Sequence, residues 1–226
     1  MPRGPAGNGA ARRAPLHARA RHELPGGGQR RAAPLVHGDG REALHRRLTV
    51  PRFVVLLRGV NVGKANRVPM ADLRSLLEAL GFTGVRTLLN SGNAVFDAGG
   101  GTPSAHAKAI RAALEEKLAV SVPVVVKSSS AIAAAVTENT LDVPADAHSR
   151  LLVAFAQERS DIRGLAKIAP LVGPAERFHV GEHAAYLLCG GGILGSKAAA
   201  ALLGKQGQAF TTRNWATVLK LRELVG

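Results

Sequence analysis

Short apolar runs broken by Gly- and Asn-rich loops leave this chain few folds to choose from. Phe53 to Leu57 is wholly apolar and strand-length, and the loop Arg58-Gly59-Val60-Asn61-Val62-Gly63-Lys64 follows it. A helix is predicted from Pro69, where proline suits the first helical position, with Met70, Leu73, Leu76, Leu77 and Leu80 on one face and Gly81 as the stop. Val85 to Leu89 and Ala94 to Phe96 read as a hairpin turning through Asn90-Ser91-Gly92-Asn93. Pro103 opens a second helix, with Ile110, Leu114 and Leu118 at four-residue spacing, and Val122 to Val126 is a further strand. The order is β-α-β-β-α-β, that of a split βαβ, ferredoxin-like unit with two helices on one face of an antiparallel sheet.

The order then recurs. Ser130 to Val136 reads as a connecting helix and Asp142 to Ser149 as a linker. Leu151 to Phe155 is a strand, Asp161 to Ile168 a helix, and Arg177 to Val180 with Ala184 to Leu188 a hairpin about Gly181-Glu182. Ser196 to Leu203 and Trp215 to Leu224 are predicted as closing helices. The fold expected is therefore α+β, two ferredoxin-like subdomains with antiparallel sheets over residues 50–145 and 146–226, preceded by a disordered leader at 1–49.

That leader is built from Ala, Arg, Gly and Pro without apolar periodicity, so it cannot bury enough surface to offset its ordering entropy. It lacks the apolar block of a secretory signal. Two readings remain, a basic nucleic-acid arm or an over-extended gene start, and the abrupt onset of pattern at Val50, which a GTG codon would encode, favours the second. The leader carries ten Arg and three acidic residues of the chain's 30 basic and 16 acidic ones, so half of the +14 net charge (10 − 3 = +7) lies there. The charge of the remainder is thus a weaker sign of a nucleic-acid partner than the total suggests. One cysteine, Cys189, excludes an internal disulfide and points to a reducing, cytoplasmic setting. The apolar runs fall far short of the ~20 residues that cross a bilayer, so no membrane partner is expected.

Four blocks together resemble an uncharacterised bacterial family, domain of unknown function 1697. They are Leu57-Arg58-Gly59-Val60-Asn61-Val62-Gly63 with Val68-Pro69-Met70, Ser91-Gly92-Asn93 with Val95-Phe96, Gly195-Ser196-Lys197, and Thr211-Thr212-Arg213-Asn214-Trp215 with Val218, Lys220 and Leu221. The resemblance runs over residues 50 to 226 and implies two ferredoxin-like subdomains with no assigned activity. The chain departs from it in having Asn90 where Gln is common and Leu where the preceding strand usually has an aromatic, which argues against base stacking at that edge.

Neither glycine-rich loop is a nucleotide-triphosphate loop: Gly59 to Lys64 has three residues between its glycines and Ala65 after the lysine, and in Gly190 to Lys197 the lysine follows Ser196. What the loops do suggest is an anion site. Ser196 would cap a helix and place Lys197 beside free backbone amides, with Arg58, Lys64, Arg67 and Arg213 adding charge. Asn61, Ser91, Asn93, Thr212, Asn214 and Trp215 complete the candidate ligand-binding set. His179 and His183 are separated by a hairpin signal, so no metal site is expected, and Cys189 reads as a small buried hydrophobe. Thr211 to Asn214 reads either as a helix entry or as a binding edge. The leading expectation is a module that binds a phosphorylated or other anionic ligand, a nucleotide or nucleic acid. With only eight aromatic residues (six Phe, one Tyr, one Trp), a small anion is favoured over a long strand. The alternatives are an enzyme acting on a small anionic substrate, for which no general base is identifiable, and a dimerising scaffold. The sequence assigns no cofactor and no oligomeric state.

Overall fold

The computed structural model describes residues 50–63, 66–204 and 209–226; the leader Met1–Thr49 and the site candidate Lys64 lie outside them. The described residues form an α+β fold with two four-stranded antiparallel sheets. In the first half β1 (Arg52–Leu57), α1 (Met70–Ala79), β2 (Thr83–Leu88), β3 (Asn93–Asp97), α2 (Pro103–Leu118), β4 (Val124–Ser128) and α3 (Ser129–Thr137) follow in order. The second repeats it with β5 (Leu151–Ala156), α4 (Arg159–Gly164), β6 (Glu176–Val180), β7 (Ala185–Cys189), α5 (Lys197–Leu203), β8 (Phe210–Asn214) and α6 (Trp215–Val225). The sheet orders, β2-β3-β1-β4 and β6-β7-β5-β8, are equivalent. Val55 pairs with Ala94 and Val126, and Val153 with Tyr186 and Arg213, so β1 and β5 are the central strands.

Both faces of both sheets are covered, which explains why β1 and β5 are continuously apolar and do not alternate. Phe53, Val55 and Leu57 face α1 and α2 through Leu73, Leu77, Ile110 and Leu114. Val54 and Leu56 face a middle core with Ile132 of α3, Val218 and Leu221 of α6, and Val153, Phe155 and Tyr186 of the second sheet. On the far side Leu152, Ala154 and Ala156 pack on Ile162, Leu165, Ala199 and Leu202. Each such fully buried Leu or Phe contributes about 1.5–3 kcal/mol, so the shared middle core alone binds the halves strongly.

The helix signals work through their caps. Thr102 accepts from the Ala105 amide (3.2 Å) at the start of α2, Ser128 from Ala131 (3.2 Å) at α3, Ser196 from Ala199 (2.9 Å) at α5 and Asn214 from Thr217 (3.0 Å) at α6. Two readings are corrected. Pro69 sits just before α1, with ψ 137° taking it out of the helix. Thr211 to Asn214 belong to β8, a strand, where Asn214 alone serves the helix entry.

Glu138, just past α3, ties the halves at a second place. Its carboxylate accepts from the backbone amides of Glu182 (3.0 Å), His183 (3.0 Å) and Ala184 (2.9 Å), from the Tyr186 hydroxyl (2.9 Å) and from the His183 ring. Burial alone would raise its pKa, but the bonds from His183, Tyr186 and Ala184 outweigh it and hold the carboxyl below its usual range.

His106 sits in the first core between Phe53, Phe82 and Phe96, with ring centroids 4.7, 5.1 and 5.6 Å away. Its Nε2 is buried without a partner among the described residues, and burial lowers its pKa despite a hydrogen bond to the Gly100 backbone carbonyl. The unfolded chain takes up this proton near pH 6.5 while the folded chain resists it, so the site's contribution is complete above that value and is lost as pH falls through the folded one. His106→Leu should therefore flatten the decline in stability between about pH 7 and 5, measured by urea unfolding at each pH; a slope unchanged by the substitution would contradict this.

Candidate functional site

Three of the sequence blocks meet where the end of β1, the start of β3 and the end of β8 come together, and a cleft of about 320 Å³ opens there. Its floor is Arg213. Although β8 is polar in composition, strand alternation turns Thr211 and Arg213 inward, and Arg213 is only 8% exposed. Every guanidinium N–H is used: Nε donates to Asn93 Oδ1, Nη1 to Thr211 Oγ1 (2.8 Å) and the Thr212 carbonyl (2.7 Å), and Nη2 to the carbonyls of Leu57 (2.7 Å) and Ser91 (3.1 Å). None of the five acceptors is a carboxylate, and burial pushes the Arg213 pKa down to about 10, leaving the group charged at neutral pH.

Asn93 is fully buried and links this guanidinium back to the hairpin, its Nδ2 donating to the Leu88 carbonyl (3.0 Å) and to Ser91 Oγ (2.9 Å). Gly92 is required between them. Its φ is +71°, and a Cβ there would lie 2.5 Å from Val60 Cγ2 and 2.7 Å from Leu57 Cβ. Asn61, itself at φ 57°, organises the adjoining loop: Nδ2 donates to the carbonyls of Val68 (2.8 Å) and Asn90 (2.7 Å), and Oδ1 accepts from the Val68 amide (2.9 Å).

Arg58, on the cleft wall, is a clamp. It donates to the carbonyls of Leu203 (3.0 Å) and Gly204 (2.8 Å) at the end of α5 and to that of Phe210, over whose ring it lies at 5.6 Å. A cation at a helix C-terminus complements free carbonyls and dipole alike. Burial lowers its pKa. Arg52 and Arg86 likewise reach the Leu224 carbonyl near the end of α6 (3.4 and 3.1 Å).

Of the sequence-predicted residues, the structure gathers Arg58, Ser91, Thr212, Arg213 and Asn214 around the cleft, with Asn93 behind it. Asn61 and Arg67 line a neighbouring hollow with Asn90. Ser196 is a buried cap and Lys197 an exposed residue at the opposite end of α5 from Leu203, and neither lines the cleft. Trp215 is 8% exposed and packs in the middle core, edge-on to Tyr186 with centroids 6.4 Å apart. Cys189 is fully buried in β7, and burial raises its thiol pKa. Sequence reasoning missed Thr217, whose hydroxyl donates to Asn214 Oδ1 (2.7 Å) beside the cleft. A hydroxyl three residues after an Asn cap was the available signal.

Fold and cleft together define a two-sheet α+β protein with a cationic seam between its sheets. The chain belongs to the family described as protein of unknown function DUF1697, whose model matches residues 50–186. Among solved structures it is similar to a conserved bacterial protein from Streptococcus pneumoniae, with 24% identity and a TM-score of 0.61 over 79% of this chain and 100% of that one, a likeness of fold alone. No curated protein matches it.

Removing Arg213 strands several buried acceptors at once. Arg213→Met should cost about 3–5 kcal/mol in urea unfolding followed by Trp215 fluorescence, and Arg213→Lys should recover only part because an ammonium cannot reach five acceptors in a planar fork. A loss below about 1 kcal/mol for the Met variant would show that the network does not hold the sheets.

Proposed function

We propose that this chain is a binding module for a small anionic ligand, a phosphorylated compound in the first instance, held in the cleft above Arg213. The observation that supports this most is a charge imbalance: two guanidinium groups, Arg58 and Arg213, border a cleft that no acidic side chain among the described residues lines. A buried cation without a counter-ion raises the local potential, and an anion entering the cleft would supply the missing charge.

Direct contacts would come from other groups, since both guanidinium groups already donate to protein oxygens. Among the described residues, Asn214 Nδ2 and Thr212 Oγ1 have no hydrogen-bond partner, and the Ser91 hydroxyl accepts from Asn93 with its own proton free to donate. All three line the cleft. Among the described residues its lining contains no His, Asp, Glu or Cys that could move a proton, which favours binding over catalysis there. No aromatic ring of the described residues lines it either, so a nucleobase has none of these to stack on, and a compact anion fits better than a nucleic-acid strand.

Calorimetric titration of the full chain with inorganic phosphate, a mononucleotide and a short single-stranded RNA should give saturable binding that weakens as salt is raised. Thr212→Val should weaken it roughly tenfold, the worth of one hydrogen bond to a charged group, with the melting temperature unchanged. Absence of saturable heat with all three, or binding indifferent to Thr212→Val, would overturn this assignment.

A further inference from the structure

A second cavity, of about 540 Å³, lies elsewhere. The first half supplies Pro103, the end of β4 and the start of α3; the second supplies Gln157 to Arg159 and the β6–β7 turn. Lys127 belongs to its wall. Among the described lysines it alone is not exposed, and its Nζ has one hydrogen bond, to the Gln157 carbonyl at 3.3 Å, with no carboxylate in salt-bridge range. One acceptor is poor support for an ammonium with three donors. His183 lines the same cavity. Its Nδ1 lies 3.1 Å from Glu138 Oε2, a carboxylate itself fixed by three backbone amides, so the ring is oriented and its Nε2 has no partner among the described residues. The other charges facing the cavity are Glu158, exposed and bonded to Ser104, and the Arg159–Glu182 pair at 3.2 Å.

We infer that Lys127 is the nucleophile of a second site, one that takes small aldehydes or ketones as imines in this cavity, with His183 moving the proton. The Nζ lone pair adds to the carbonyl carbon, forming the C–N bond. The proton lost from nitrogen passes to His183 and on to the oxygen; the C–O bond then breaks and water leaves, carrying both amine protons. No oxidant or reductant is needed, and the product is the imine and one water. Lys127 is suited to this because burial, aided by the nearby Arg159 and opposed by Glu158, lowers its pKa and so increases the free amine at neutral pH. The walls supply the remainder: Ala131 and Ala134 of α3 offer an apolar lining for the carbon skeleton.

The test uses the full chain with propanal and sodium cyanoborohydride, which reduces an imine to a stable propyl-lysine, mapped by peptide mass spectrometry. At pH 7 Lys127 should be alkylated several-fold faster than the exposed Lys108, Lys117, Lys167 and Lys220, and His183→Gln should slow Lys127 while leaving those four unchanged. Labelling of Lys127 no faster than the exposed lysines overturns the site. Faster labelling that His183→Gln does not alter overturns the part given to His183.

Discussion

A single buried guanidinium sets the relation between the two sheets. Arg213 arises in the second sheet and spends three of its five donors on Asn93, Leu57 and Ser91 of the first. Apolar packing between two covered sheets is largely non-directional and would tolerate sliding; five hydrogen bonds from a planar fork do not. The cost is a desolvated charge with no counter-ion. That cost is partly offset because every donor is matched, whereas a lysine at this position would leave oxygens stranded. The surrounding sequence serves the same end: Gly92 allows β3 to start close against Leu57 and Val60, bringing the Ser91 carbonyl and Asn93 amide within reach.

The same use of cations recurs elsewhere in the folded part. Arg52 and Arg86 donate to a carbonyl near the end of α6, Arg58 to those ending α5, Arg150 to Gly190, Arg177 to Asp142 and Lys127 to Gln157. Two of the cations that read in sequence as an anion site, Arg58 and Arg213, are ligands of the chain's own carbonyls. Arginine suits the role because it keeps its charge when half-buried and donates in several directions.

The fold was legible because its signals are local. Pro69, Gly81, Pro103 and Ser196 mark helix ends by conformational preference or by a side-chain oxygen, and Phe53 to Leu57 and Leu151 to Phe155 are apolar throughout because both faces of each sheet are covered. β8 escaped because its inward positions are Thr211 and Arg213, which no hydrophobic pattern marks; their burial depends on partners more than 100 residues away. The site was half legible. The sequence blocks about Arg58, Ser91 and Arg213 do converge, but mainly to build an interlock. Ser196-Lys197 stays apart because α5 places its capped end and its cleft-facing end at opposite poles.

Two seams result from joining halves of the same order, and their chemistry differs. The cleft above Arg213 offers donors and positive potential without a proton-transfer group, whereas the cavity beside Lys127 offers an amine and an oriented imidazole among charges that nearly balance. Each is lined by both sheets' connections, so neither could be complete in one half alone. Duplicated topology thus accounts for more than stability here. Two similar units packed through their open sheet faces and trailing helices leave their loops juxtaposed along the seam, and the residues that differ between the halves decide what those loops can hold.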